Sequence, residues 1–386
     1  MITSTDKKLS TYLDDQTSLG TIDNSDNIVK FLLKNLDYLN GQQIKDNNFL
    51  SLMSTYLKKN NSLPFPITEQ MNLFFEKNNK DINIIFNYFA FRYKFYLASI
   101  NKIYLDHPPY LLIEPVSTCN LRCGFCFQTD KTFTKKPYMG VMNFDLFKKV
   151  CDEADNIGVG AITIGSRGEP SMHKDIASMI SYLGTKKNIY EKKFITNATF
   201  LNEKLIQSLL ENDINIIQIS ADHYLKKDYE ELRLNSNFEK IVKNVDSLFF
   251  MRKKKYPNSK SEIRVSGVDA RKNLDREKFR EFWIKRSDHV SAGMAVERWN
   301  TYENDLHPEL NKPCELLWNR MYIWFDGKAN PCDSDYKSYL SYGNANNNTI
   351  KEIWKSKKIQ EIRDNHLNNR RNEIDPCNKC GADFDN

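Results

Sequence analysis

Residues 119–127 read CNLRCGFCF and hold three of the chain's eight cysteines. The spacing is C-x₃-C-x₂-C. Thiolates bind soft metals, and a tight loop can wrap three of them around one corner of an iron–sulfur cluster. Three ligands leave one iron of a four-iron cube without a protein ligand. That open corner can bind and activate another molecule. The alternative is a zinc site that these three thiols close with a fourth ligand from elsewhere. A second set lies near the C-terminus: Cys314, Cys332, Cys377 and Cys380. Four thiolates close a site, as an electron-passing cluster or as structural zinc. Cys151 is left over on a predicted helix and reads as a buried, inert thiol.

Other functions find less support. The 386 residues carry a net charge of +6 from 56 basic and 50 acidic side chains, too weak a bias to argue for nucleic acid. The basic stretch RKKKYPNSK (252–260) reads as a solvated loop. No run approaches the 18 or so apolar residues of a membrane span. The N-terminal MITSTDKKLSTYLDDQ has no signal-peptide apolar region, so a cytoplasmic location is expected. Cysteines stay reduced there, which favours ligands over disulfides.

The elements that must position the thiols form a regular series. Residues 1–105 read as a polar, helical accessory domain, with helical spacing at 28–40 and 82–100. An alternation then begins. Strands are expected at 110–119, 160–170, 192–199, 215–223, 261–271 and 290–299. Helices are expected at 144–158, 175–184, 201–213, from 224 to about 255, and 276–286. Six strands alternating with helices predict parallel βαβ units that curl into an open, partial (β/α)6 barrel over 106–306. Ligands in such sheets bind beyond the carboxyl ends of the strands. HPELNKP marks a boundary, and 307–386 reads as a small Cys-rich domain. It holds a hairpin signal, FDGKANPC, and one amphipathic helix, TIKEIWKSKKIQEIRDNHL.

The C-x₃-C-x₂-C spacing, with Phe125 before the last cysteine, resembles the radical S-adenosylmethionine superfamily. The resemblance implies that Cys119, Cys123 and Cys126 hold a [4Fe–4S] cluster whose open iron chelates S-adenosylmethionine. GSRGEP after the second strand resembles the family's GEP motif, which implies that Gly168 and Glu169 contact the methionyl amino group. TNAT after the third strand resembles a TNG-like sequence and makes Asn197 a candidate ribose contact, with Ala198 replacing glycine. ISADHYLKKDYEELR resembles a segment in which Ser220 and Arg233 would hold the carboxylate, with His223 in place of glycine. A helix-surface pair between Arg233 and Glu230 is the structural alternative. The second thiol set resembles a C-terminal SPASM/twitch domain, implying a second, auxiliary [4Fe–4S] cluster.

Twitch-type relatives include dehydrogenases that oxidise a hydroxyl of an aminocyclitol. A closed second cluster could accept the electron of such an oxidation. The expected activity is therefore a radical oxidoreductase acting on a small polar molecule, a sugar or cyclitol derivative. Peptide maturation, radical epimerisation and a non-catalytic iron–sulfur or zinc module stay open. The resemblance also implies an electron donor of the flavodoxin or ferredoxin type, and neither a nucleic acid nor a membrane as partner. Candidate substrate contacts are Arg271 after the fifth strand and Glu297 and Arg298 after the sixth, with Glu297 as a possible general base.

Overall fold

The computed structural model of the chain describes residues 25–36, 47–212, 214–295, 300–307 and 311–380. The chain divides after Leu105 into two compact units. The first is helical: α1 (Ser25–Lys34), α2 (Asn47–Asn60), α3 (Glu69–Asn78) and α4 (Ile82–Asn101). Thr68 and Asp81 cap α3 and α4 by accepting the free amides of Met71 and Ile84. Helix α4 packs on α2 and α3 and buries aromatics on successive turns, among them Phe86, Phe89 and Phe91. The expected helix at 28–40 begins at Ser25; its residues 37–40 lie outside the described set.

The second unit holds the alternation. Its strands are β1 (Tyr110–Ile113), β2 (Ala161–Ile164), β3 (Glu191–Thr196), β4 (Ile216–Ser220), β5 (Glu262–Asp269) and β6 (His289–Met294). They lie in chain order, each parallel to the next. Between them run α5 (Phe144–Ile157), α6 (Ile176–Gly184), α7 (Glu203–Glu211), α8 (Lys226–Leu232), α9 (Phe238–Lys254) and α10 (Arg276–Trp283). Asn143, Asn202, Asn237 and Asp275 cap α5, α7, α9 and α10 with side-chain oxygens. Gly158 ends α5 at φ +86°, where a side chain would be strained.

Period-two alternation gives the sheet two faces. Ile162, Ile164, Phe194, Ile217, Ile219, Ile263 and Val265 are fully buried on one. Gly267 shares that face: a β-carbon there would lie 3.0 Å from the Phe279 ring of α10 and 2.4 Å from the Ala221 carbonyl oxygen. This is the helix-covered side. The other face carries Tyr110, Thr163, Glu191, Lys193, Gln218 and Arg264, and the Tyr110 hydroxyl bonds Thr163 Oγ1 at 2.8 Å. The concave side is thus polar, unlike an ordinary core.

The Cys-rich segment is joined to this sheet. Strand β7 (Met321–Ile323) pairs in parallel with β1, and β8 (Lys328–Asn330) and β9 (Gly343–Asn344) continue beyond it. The result is one nine-stranded sheet. The β7–β8 hairpin turns at Asp326-Gly327, where FDGKANPC predicts it; Gly327 has φ +82°. Helix α11 (Leu316–Asn319) precedes the hairpin. The amphipathic stretch expected as one helix is two, α12 (Ile350–Trp354) and α13 (Lys357–Leu367). The break at Lys355–Ser356 is held by two side-chain hydrogen bonds. Ser356 Oγ donates to the Tyr342 carbonyl, and Arg363 Nη1 takes the freed Trp354 carbonyl at 3.1 Å. No helix is long and apolar enough to cross a membrane among the described residues.

Replacing Gly267 by alanine should force β5 away from α10. The expected loss is about 1–3 kcal/mol of stability, read as a lower urea midpoint at unchanged slope. An unchanged midpoint would show that this strand and helix are not in tight register.

Candidate active site

The three-thiol loop leaves the end of β1 and folds back on itself. Cys123 and Arg122 form a short antiparallel ladder with Arg233 and Leu234, which pins the loop to the end of α8. The Cys126 amide donates to the Cys123 carbonyl at 3.0 Å. Cys119 Sγ accepts the Leu121 amide at 3.4 Å and Asn197 Nδ2 at 3.8 Å. Burial pushes the Cys119 and Cys126 thiols up to about 12, and the neighbouring cysteines add to the shift. Burial raises Cys123 too, against the opposing pull of Arg233. The three therefore sit within electrostatic reach of one another.

The GSRGEP loop lies against them. A β-carbon on Gly168 would fall 2.1 Å from the Val116 carbonyl oxygen and 2.6 Å from that of Thr118. Only glycine allows this approach. It lets the Glu169 amide donate to Thr118 at 2.9 Å, directly beside Cys119. Glu169 is buried, and burial raises its carboxyl above the usual range. Its Oε1 accepts the Ser171 amide, the Ser171 hydroxyl and Thr196 Oγ1, while among the described residues Oε2 accepts only the Asn197 amide, at 2.7 Å. A carboxylate offers about four acceptor sites, so Oε2 retains capacity for a cationic donor. Asn197 spends its side chain within the protein, on Asn120 Oδ1 at 3.0 Å and on Cys119. Ala198 takes the left-handed conformation, φ +62°, that glycine would adopt without strain.

Arg233 is buried, and its Nε meets Asp222 Oδ2 at 2.6 Å. The nearby Asp222 carboxylate and Cys123 both favour its charged form. Glu230 instead accepts the Phe238 amide, so the surface pair is not the one formed. Ser220 ends β4, and Phe125 is half-buried between Gly124 and Cys126.

The second thiol set gathers at the C-terminal segment. Burial raises Cys332 and Cys377 well above the ordinary thiol value, and each feels Cys314 and Cys380. Arg371 feels all four thiols. The Cys314 amide donates to His366 Nδ1 at 3.1 Å, and burial next to Arg371 holds His366 down to about 3, hence neutral. Single-ion tetrahedral thiolate sites, with metal–sulfur bonds of about 2.3 Å, need their sulfurs within about 4 Å. Among the described residues no three His, Cys, Asp or Glu side chains already converge in that way.

The remaining candidates separate. Arg271 is at the surface, paired with Glu231 at 3.1 Å and Asp228 at 3.7 Å. Glu297 and Arg298 lie outside the described residues. Cys151 is fully buried in α5. Sequence reasoning missed Arg167, which sits inside the GSRGEP motif, and Glu114, which sits inside the first expected strand. Arg167 makes a bidentate pair with Glu114 at 2.5 and 2.6 Å and donates to the Tyr336 carbonyl at 2.6 Å. Its guanidinium stacks on Trp324 at 4.1 Å. The GEP loop is thereby bolted to β1 and to the Cys-rich segment at once.

These positions coincide with matches to known families. Residues 113–262 match the family model of the Radical SAM superfamily, and residues 314–381 match that of an iron–sulfur cluster-binding domain, SPASM. The chain thus carries a radical SAM domain followed by a SPASM domain. Its radical SAM domain implies a [4Fe–4S] cluster and S-adenosylmethionine, and its SPASM domain implies auxiliary iron–sulfur binding. The donor sets fit both: three thiols beside a buried carboxylate, and four thiols beside an arginine.

Curated relatives match over limited spans. A tungsten-containing aldehyde ferredoxin oxidoreductase cofactor-modifying protein of Pyrococcus furiosus is 32% identical over 114 residues, 29% of this chain and 30% of that one. A GTP 3',8-cyclase of Desulforamulus reducens is 22% identical over 160 residues, 42% of this chain and 48% of that one. The radical SAM chain thus spans less than half the length of these relatives. Solved structures share the fold at low identity. BtrN in complex with AdoMet and 2-DOIA has TM-score 0.50 and 18% identity, covering 71% of this chain and 93% of that one. Streptococcus suis SuiB bound to S-adenosylmethionine has TM-score 0.51 and 16% identity, covering 89% and 84%. The anSMEcpe protein with bound AdoMet and Cp18Cys peptide has TM-score 0.51 and 18% identity, covering 70% and 87%.

Two outcomes follow. Arg167→Met should cost about 3–5 kcal/mol by stranding Glu114, and Arg167→Met with Glu114→Leu should cost less than the single change. Additive losses would mean that the pair is not coupled. In metal-free protein, thiols held up to about 12 stay protonated near neutral pH. Alkylation of Cys119 and Cys126 should therefore run about a thousandfold slower than that of an ordinary thiol at about pH 8, and rise about tenfold per pH unit. A flat profile would contradict the burial.

Proposed function

We propose that this radical SAM enzyme oxidises a small, polyhydroxylated substrate such as a sugar or cyclitol derivative. When bound, the cluster and S-adenosylmethionine supply one-electron chemistry that lets the enzyme take a hydrogen atom from substrate. The chain's own residues hold and orient the parts. Cys119, Cys123 and Cys126 would carry the first cluster. Glu169 Oε2 would accept from the methionyl ammonium; burial raises the carboxyl's affinity for a proton, and a cation held beside it would favour the charged form. Ser220 and the free donors of Arg233 would receive the carboxylate. Asn197 fixes Cys119 and so acts as a positioning residue. Cys314, Cys332, Cys377 and Cys380 would carry the auxiliary cluster. Glu297 is proposed as the acceptor of the hydroxyl proton.

The observation that carries this reading is the pairing of an open three-thiol set with a four-thiol set in one fold. The second set has no unfilled ligand position to offer a substrate, and it suits the removal of an electron. Peptide modification is the second reading. It is favoured by the fold likeness to SuiB, solved also with its precursor peptide SuiA, which covers 89% of this chain.

Anaerobic reconstitution should load about eight irons per chain, as two four-iron clusters. Dithionite and S-adenosylmethionine should then yield 5′-deoxyadenosine, and Cys123→Ala should abolish it. Glu297→Gln should retain this cleavage while losing substrate oxidation. Cleavage coupled to a peptide product and to no polyol would favour the second reading. A fully loaded protein that forms no 5′-deoxyadenosine would sink both.

A further inference from the structure

Three late strands repeat one pattern on the concave face. Each carries a polar residue, an aliphatic residue and a serine: Gln218-Ile219-Ser220 in β4, Arg264-Val265-Ser266 in β5 and His289-Val290-Ser291 in β6. The register stacks them. Gln218, Arg264 and His289 stand side by side, and Ser220, Ser266 and Ser291 form the row above, nearer the strand ends. The aliphatic residues turn to the helices, as the contact of Gly267 with Phe279 shows for β5. Six polar side chains therefore line one wall of the barrel interior.

The wall has unused hydrogen-bonding capacity. Arg264 is 2% exposed, and its Nη2 meets Glu262 at 3.1 Å, so its charge is matched inside the protein. Its Nε–H is buried without an acceptor, and the Oε1 of Gln218, its neighbour across the ladder, is buried without a donor. Among the described residues no hydrogen bond engages the hydroxyls of Ser266 or Ser291, although Ser291 is only 6% exposed. Buried groups such as the Arg264 Nε–H and the Gln218 Oε1 normally find partners, and each one left alone costs about 1–3 kcal/mol.

We propose that this serine ladder is the substrate-reading wall of the enzyme and that it takes an uncharged polyol. The inference deepens the oxidation reading above and rests on it. A hydroxyl both donates and accepts, as a lone N–H beside a lone carbonyl oxygen requires. Adjacent serines continue the same chemistry along the row. An anion would need an unmatched cation, and Arg264 is already paired. An apolar side chain would leave the Arg264 Nε–H and the Gln218 Oε1 unsatisfied. The row also begins at Ser220, proposed above as a cofactor contact, so a molecule seated along it lies next to the cofactor.

The test uses the full chain, loaded with iron and sulfide and saturated with S-adenosylmethionine, without reductant. Saturation-transfer NMR would read the binding of myo-inositol, D-glucose, glucose 6-phosphate and the tripeptide Ala-Phe-Ala. The two uncharged polyols should give signal, and the phosphate ester and the peptide should not bind better than they do. The double variant Ser266→Ala/Ser291→Ala should weaken polyol binding at least tenfold, with iron content, S-adenosylmethionine affinity and melting temperature unchanged. Gln218→Met provides an independent variant and should weaken it severalfold. Variants that bind the polyols like wild type would overturn the ladder while leaving the oxidation reading in place. Wild type that binds the peptide and neither polyol, or none of the probes, would overturn both.

Discussion

The buried ion pair between Arg167 and Glu114 is the joint on which the site depends. It connects three pieces of chain far apart in sequence: the end of β1, the loop after β2 and, through the Tyr336 carbonyl, the Cys-rich segment. A guanidinium and a carboxylate at 2% and 0% side-chain exposure are costly to bury. The fork geometry, the extra carbonyl and the Trp324 face offset that cost. In return, the loop that bears Gly168 and Glu169 has one place to go. Gln128, just past the three-thiol loop, donates to the Ser117 and Arg167 carbonyls at 2.7 Å each and closes the arrangement.

From that joint the two thiol sets acquire a common frame. Phe127 follows Cys126 directly and stacks on Tyr336 at 5.0 Å, with Phe133 edge-on to both. Tyr336 in turn meets Tyr302, whose hydroxyl donates to Asp335 at 2.7 Å, three residues from Cys332. Burial holds the Asp335 carboxyl up to about 6 despite the amides it accepts. An aromatic and hydrogen-bonded seam therefore runs from one thiol loop towards the other. The position of the auxiliary set is fixed relative to the first by packing, not by a linker.

Much of this was legible in the sequence. Six short aliphatic runs separated by helical spacing gave the parallel series, because buried parallel strands must be apolar on their covered face. The cysteine spacing and the GEP-type loop singled out two segments that the fold places side by side, since few residue patterns place thiols and close backbone approach together. Three features were not legible. The split between α12 and α13 depends on Ser356 reaching the Tyr342 carbonyl and Arg363 reaching the Trp354 carbonyl, which no local propensity records. The partner of Arg233 is Asp222 and not Glu230, because the helix ends at Leu232 and turns the guanidinium inwards. The union of the Cys-rich segment with the barrel sheet depends on β7 choosing β1, a pairing between opposite ends of the unit.

That last pairing has a consequence for how the protein is made. Leu111 lies beside Met321 in the finished sheet, yet nearly the whole barrel must leave the ribosome between them. Until β7 arrives, β1 is an open strand edge of aliphatic residues, the kind of edge that recruits foreign strands. Non-local pairing of this sort is slow to form. The nascent chain thus carries its most vulnerable strand first and its cover last, and the segment bearing the second thiol set doubles as the piece that seals the fold.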